Sequence, residues 1–179
     1  PSTPLMELYL DKEHSNEKDA KTIAEKIKEV RLKEIISEIK IDFANKRIEI
    51  FLDSKGLKSV HAGTQRIVER LQEKGFTARG GEEKITISLP EHDFKAIYKM
   101  KVRLKETIIS GIKGITQVVV ANRGRDIVIL TAGSNLEEVR EVKGIDARRV
   151  FSNDIHDVAN VLGIEAARQT IVEEIKKVI

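Results

Sequence analysis

EIISEIKIDFANKRIEIFL, residues Glu34–Leu52, alternates apolar with polar positions on both sides of Asn45-Lys46. A period of two interrupted by a turn dipeptide predicts a β-hairpin, with Ile39, Ile41 and Phe43 matched against Ile48, Ile50 and Leu52. QVVVANRGRDIVILTAG (Gln117–Gly133) predicts a second hairpin turning at Asn122–Arg125, its strands apolar enough that both faces are expected to be covered. MELYL (Met6–Leu10) and EKITISLP (Glu83–Pro90) have the same alternation and are expected to be single strands.

Between these stretches the period becomes helical. Asn16 or Ser15 can cap a helix through about Val30, with Ala20, Ile23, Ile27 and Val30 on one face. Val60–Lys74 carries Ile67, Val68 and Leu71 at helical spacing and ends at Gly75, the expected C′ residue. A less regular helix runs from about Glu91 to Arg103, with Phe94, Ile97, Tyr98 and Val102 apolar. Ser134 and Glu137 suggest a capping box for a short helix through about Glu141.

From Ser152 the chain reads as two helices that meet at Gly163, the expected left-handed C′ residue of the first. Ile155, Val158, Val161, Leu162, Ile164, Ala167, Ile171 and Ile175 are expected to form a buried seam. Hairpins separated by helices, rather than a steady βαβα alternation, place the chain in the α+β class: antiparallel hairpins packed with helices, then a C-terminal helical hairpin. Strand-rich material thins out near Gly144, so the expected division is an α+β module over 1–143 and a helical segment over 144–179.

At 179 residues and 40% hydrophobic, the chain can bury a real core in one large or two small domains. No apolar run reaches the ~18 residues of a membrane span. The absence of cysteine removes disulfides, thiol catalysis and cysteine-ligated zinc, and fits a reducing interior such as the cytoplasm. Abundant Glu and Lys with few Asn and Gln is the thermophile pattern. Pro1 is not an initiator methionine, PSTPLMELYL lacks the plan of a signal peptide, and IVEEIKKVI is still in helical phase at Ile179, so the expectation is a piece of a longer chain.

Little in the sequence has the pattern of an active site. GIKGI (Gly111–Ile115) lacks the lysine-hydroxyl pair and following helix of a phosphate loop, and its glycines suit turns. His14, His61, His92 and His156 lie on different elements without ligand spacing, so no metal site is expected. Asp154-Ile155-His156-Asp157 invites an acid–base reading, but Ser152, Asn153 and Asp154 stand where a helix start wants oxygen acceptors and negative charge. With 32 Lys and Arg against 29 Asp and Glu the net charge is only +3, so any nucleic-acid contact must be local. The candidates for phosphate contact are Arg123 and Arg125 on the tight tip NRGRD, and, after them, Arg148 and Arg149 in the loop expected before the closing helices.

Four short motifs then follow in order: G-S-N-L at Gly133–Leu136, V-K-G-I-D at Val142–Asp146, S-N-D-I at Ser152–Ile155 and L-G-I-E-A-A-R at Leu162–Arg168. In this order and spacing they resemble the jaw-to-cleft segment in the largest subunit of multisubunit DNA-directed RNA polymerases. STPLMELYL resembles the strand that leaves the trigger loop in that family, and GIKGITQVVV its G-I-x-G-I turn and strand. The compact middle without long insertions is most similar to the archaeal form, in which the C-terminal part of a split largest subunit, A-double-prime, is separately encoded. The likeness is sharp over Gly111–Ile175 and Pro1–Leu10, and one of pattern over 31–90.

The resemblance implies a non-catalytic jaw and cleft fragment of a nucleotidyltransferase. The family's N-A-D-F-D-G-D motif, which holds magnesium, does not occur in this sequence, so the fragment itself is expected to carry no cofactor. The implied partners are the rest of the largest subunit, the H subunit, downstream duplex DNA along whose channel the jaw forms one wall, and the transcript-cleavage factor, with no membrane partner. On the residues alone two other classes stay open: an unrelated stand-alone α+β nucleic-acid-binding domain, and a small hydrolase or transferase with an unrecognised site.

Overall fold

A computed structural model of the chain describes residues 3–60, 63–90 and 93–179. Its elements are, in chain order, β1 (Leu5–Leu10), α1 (Glu17–Ile27), β2 (Val30–Arg31), a 3₁₀ turn (Leu32–Ile35), β3 (Ile36–Asp42), β4 (Arg47–Leu52), α2 (Ser54–Ser59), α3 (Thr64–Glu73), β5 (Ala78–Gly80), β6 (Lys84–Ser88), α4 (Phe94–Glu106), β7 (Ile108–Ser110), β8 (Gln117–Arg123), β9 (Asp126–Ala132), α5 (Leu136–Val139), β10 (Ile145–Ser152), α6 (Ile155–Leu162) and α7 (Ile164–Val178). The protein is α+β, its sheets antiparallel and its end a helical pair. Contacts divide it into two units, Pro1–Glu29 with Gly111–Ile179, and Val30–Ser110. The division does not fall at the expected Gly144, because β10, just beyond it, pairs with β1.

In the Val30–Ser110 unit, four strands form a sheet in the order β3-β4-β6-β5, beside a short β2-β7 pair. Ile39 lies opposite Ile50 and Ile41 opposite Ile48, as the alternation predicts, but Phe43 belongs to the turn rather than the ladder. Asp42 makes that turn: its carboxylate accepts from the Asn45 amide at 3.0 Å and from Asn45 Nδ2 at 2.8 Å, and Lys46 takes a positive φ of 53°. Ile48, Ile50, Ile85 and Ile87 point to the core, where Ile67, Val68 and Leu71 of α3 meet them. His61, His92 and the predicted Glu91 start of α4 lie outside the described residues, whereas Val60, the predicted start of the preceding helix, closes α2 as its C-cap and α3 begins at Thr64. Within the described chain, Asp53 and Asp93 cap α2 and α4, accepting from Lys55 N and Lys95 N.

The other unit is built on a sheet in the order β10-β1-β9-β8. Asn16 Oδ1 accepts from Asp19 N at 2.8 Å and starts α1, whose Ala20, Ile23, Ala24 and Ile27 cover Met6, Leu8, Leu10 and Ile129. The expectation that both faces of the β8-β9 hairpin are covered is not met. β8 is an edge strand, α1 covers one face only, and Val119 on the other is 60% exposed. The predicted Ser134 capping box is also shifted: Asn135 is the N-cap of α5, accepting from Glu138 N. Arg148 and Arg149, expected in a loop, lie in β10. Its register against β1 slips between Leu8 and Leu10, which pair with Val150 and Ile145, and this irregularity erases the alternation that marks a strand.

The first unit described contains an acid-sensitive tie. Glu106 at the end of α4 meets Lys33 Nζ and Arg31 Nη1, each at 2.8 Å, and those two hydrogen bonds, Lys33 first, hold its carboxyl below the ordinary 4.5. A carboxylate depressed in the folded state adds stability above the unfolded-state pKa and loses it as pH falls through the folded one. Glu106→Gln should therefore lower the urea midpoint at neutral pH, and the two curves should converge well below the carboxylate range. Equal gaps at both pH values would show that the tie contributes nothing.

Candidate functional site

The G-S-N-L and S-N-D-I motifs meet in space. Ser134 Oγ lies 2.6 Å from Ser152 Oγ and hydrogen-bonds the Asp157 carboxylate, which also accepts from Leu136 N at 2.9 Å. Asp154, the N-cap of α6, accepts from the amides of His156 and Asp157, while its own amide donates to Ser152 Oγ at 3.0 Å. Asn153 ties the junction to the first strand: Oδ1 accepts from Leu5 N at 2.7 Å, and its amide donates to Leu5 O. The oxygens of the acid cluster thus satisfy helix-start amides, each worth about 1 kcal/mol. Gly133 enters the same junction with φ +99°, and a Cβ there would lie 1.8 Å from Gly114 O, so only glycine fits.

Among the described residues no group of three His, Cys, Asp or Glu side chains is placed to hold a metal ion.

The structure brings two of the four candidate arginines together with carboxylates. Gly124, φ +62°, opens the two-residue turn between Arg123 and Asp126, so the tip is as tight as its sequence suggests. Arg123 Nη1 lies 2.9 Å from Glu7 of β1. Arg149 Nη2 lies 3.0 Å from Asp126, and its guanidinium stands 4.3 Å from the centre of the Tyr9 ring. The Asp126 hydrogen bond, outweighing partial desolvation, raises the Arg149 pKa, so Arg149 remains a cation. Arg125 and Arg148 form no ion pair among the described residues, though the Arg148 amide donates to Asp146 at 3.0 Å. Glu7 and Tyr9 were not legible as partners, since 116 and 140 positions separate them from Arg123 and Arg149.

The closing helices differ most from expectation. Only Val158 and Ala167 of the predicted seam are buried. Ile155, Leu162, Ile171 and Ile175 are exposed, and Ile164 is 81% exposed. Between this pair and β1–β10 lies a cleft of about 580 Å³, lined by Leu5, Phe151, Leu162, Glu173, Glu174 and Lys177 among others. Gly163 has the expected positive φ, 96°, but with ψ 171° it lies outside the left-handed helical region. It is at once the C-cap of α6, its amide donating to Ala159 O at 3.1 Å, and the N-cap of α7.

Comparison with known proteins places these features in a family. The model of RNA polymerase Rpb1, domain 5, matches residues 2–179. The DNA-directed RNA polymerase subunit Rpo1C of Pyrobaculum aerophilum is 35% identical across the whole chain, which covers 49% of that protein. The chain thus spans about half the length of the curated relative it matches.

Gly163 gives the direct test of the junction. A positive φ with extended ψ is open essentially to glycine alone, and a Cβ there would meet no atom within 4 Å, so strain is purely backbone. Gly163→Val should destabilise the chain by about 1–3 kcal/mol. Coincident denaturant midpoints for variant and parent would mean that the junction does not hold this conformation.

Proposed function

The chain belongs to the RNA polymerase Rpb1, domain 5, family, and from that premise we propose that it is a non-catalytic part of the largest subunit of a DNA-directed RNA polymerase. In this reading it contributes to the jaw and to the wall of the downstream-DNA channel, and it docks smaller subunits during transcription. The observation that carries the reading is the open apolar face of α6 and α7, where Leu162, Ile164, Ile171 and Ile175 stand in solvent. A large exposed apolar patch rimmed by polar residues is the signature of a surface meant to be covered. The proposed covers are the rest of the largest subunit and the H subunit, with the transcript-cleavage factor a further partner. The magnesium of nucleotidyl transfer belongs elsewhere in the complete enzyme. No helix among the described residues is long and apolar enough to cross a membrane, and a cytoplasmic or nucleoid location suits the proposal.

Duplex DNA must slide through such a channel, so contacts should go to phosphates and ignore sequence. Arg125 is free for that role among the described residues. Arg123 is paired with Glu7, but both groups are well exposed, 48% and 33%, and exposed pairs hold by only ~0–1 kcal/mol. A phosphate can displace that carboxylate. In the assembled polymerase, Arg123→Ala/Arg125→Ala should shorten elongation-complex lifetimes under salt challenge and reduce the slope of log affinity against log salt by about one unit per lost contact. Nucleotide addition on stable complexes should be unchanged. Identical lifetimes across the salt series would remove the channel-wall role, and Ile171→Ser/Ile175→Ser polymerase that assembles as well as the parent would remove the docking role.

A further inference from the structure

Helix α4 has two apolar faces, and only one belongs to the core. Ile97 and Leu104 are buried, with Met100 packed beside them. Phe94, Tyr98 and Val102 recur every fourth residue along a second stripe, centred about 130° around the helix from the first, and are 73%, 66% and 46% exposed. At 3.6 residues per turn this stripe covers about 80° of the helix surface and runs roughly 12 Å along the axis. Phe43, in the turn after β3, extends it: its ring centroid lies 5.1 Å from that of Phe94, and it is itself 49% exposed.

Along the flanks of the stripe the charge is of one sign; the acids at its ends, Asp93 and Asp42, cap α4 and hold the Phe43 turn. On a helical projection Lys95 and Lys99 follow one edge, Lys101 and Lys105 the other. None of the four forms an ion pair among the described residues. The other charges of α4 are already engaged: Arg103 donates to Lys74 O at 2.7 Å and stacks 4.2 Å from the Phe76 ring centre, and Glu106 is held by Lys33 and Arg31. An aromatic stripe between two rows of unpaired lysines is therefore left facing solvent.

We propose that this face is a docking site for an acidic amphipathic helix of a partner protein. Such a helix would lay its apolar residues on Phe94, Tyr98, Val102 and Phe43 and bring carboxylates to both lysine rows, the helix-against-surface mode of recognition with exposed aromatics as anchors. A second copy of the chain fits poorly, because a two-fold contact sets lysine against lysine. Nucleic acid would satisfy the lysines, but duplex grooves give an aliphatic and aromatic stripe little. Phe43 and Phe94, tilted 51° and packed on each other, do not offer parallel platforms for stacked bases. The proposal stands on α4 and Phe43 and does not need the polymerase reading.

The test titrates the full chain with a labelled helix-forming peptide of about four turns. One face of the peptide is leucine and both flanks are glutamate; a second peptide has lysine in place of glutamate, and oligothymidylate and a short duplex serve as nucleic-acid probes. Phe94→Ser/Tyr98→Ser and, separately, Lys95→Glu/Lys99→Glu should each weaken the acidic peptide about tenfold or more. Both should leave the thermal melt unchanged, because the side chains are exposed. The lysine-reversed variant should gain affinity for the lysine peptide. Acidic-peptide binding that ignores both variants overturns the proposal. So does tighter binding of either nucleic acid at this face, or parent self-association abolished by Phe94→Ser/Tyr98→Ser.

Discussion

The unit that carries the closing helices depends on one long-range pairing. β1 lies in the interior of its sheet, against β9 on one side and β10 on the other, although both arrive more than a hundred residues later. Met6, Leu8 and Leu10 are buried in the core that this sheet forms with α1, at about 1.5–3 kcal/mol each. Closing a loop ten times longer than a local one costs only about 2 kcal/mol more. Burial therefore wins, and the Val30–Ser110 unit can stand as an insertion between α1 and Gly111 without preventing the sheet from closing.

What β1 fixes, the polar junction transmits. Asn153 bonds both backbone groups of Leu5, Asp154 starts α6 one residue later, and Asp157 reaches from α6 to Ser134 and Leu136 at the start of α5. Three motifs distant in the chain thus become one hydrogen-bonded corner from which the α6-α7 pair starts. The carboxylates of Asp154 and Asp157 accept from helix-start amides and so position α5 and α6. Glu7, on the same strand, restrains Arg123, so β1 also bears on the basic tip.

Legibility in the sequence followed how local the cause was. Asn16 as a cap, the Ile39–Ile50 and Ile41–Ile48 pairs, and the turn at Gly124 all arise from neighbours within a few residues, and each appears in the structure. β10 was not legible because its irregular register against β1 destroys the period that identifies a strand. Periodicity marked the apolar face of α6 and α7 but carries no information about what covers it, so a seam expected to be buried is largely exposed. The same limit applies to α4, where periodicity does not say that Ile97 is buried and Tyr98 exposed. The arginine tip was legible as a place, whereas the carboxylate that pairs with Arg123, Glu7, comes from β1.

Native-state hydrogen exchange on the full chain tests the central dependence directly. If β1 holds its unit together, the amides of its buried residues should open with the same free energy as those of β9 and β10, far above the values of a fraying terminus. Slow, matched exchange across the three strands is the predicted result. Fast exchange along Met6–Leu10 beside slow exchange in β9 would contradict it, because the sheet would then persist without the strand on which the account rests.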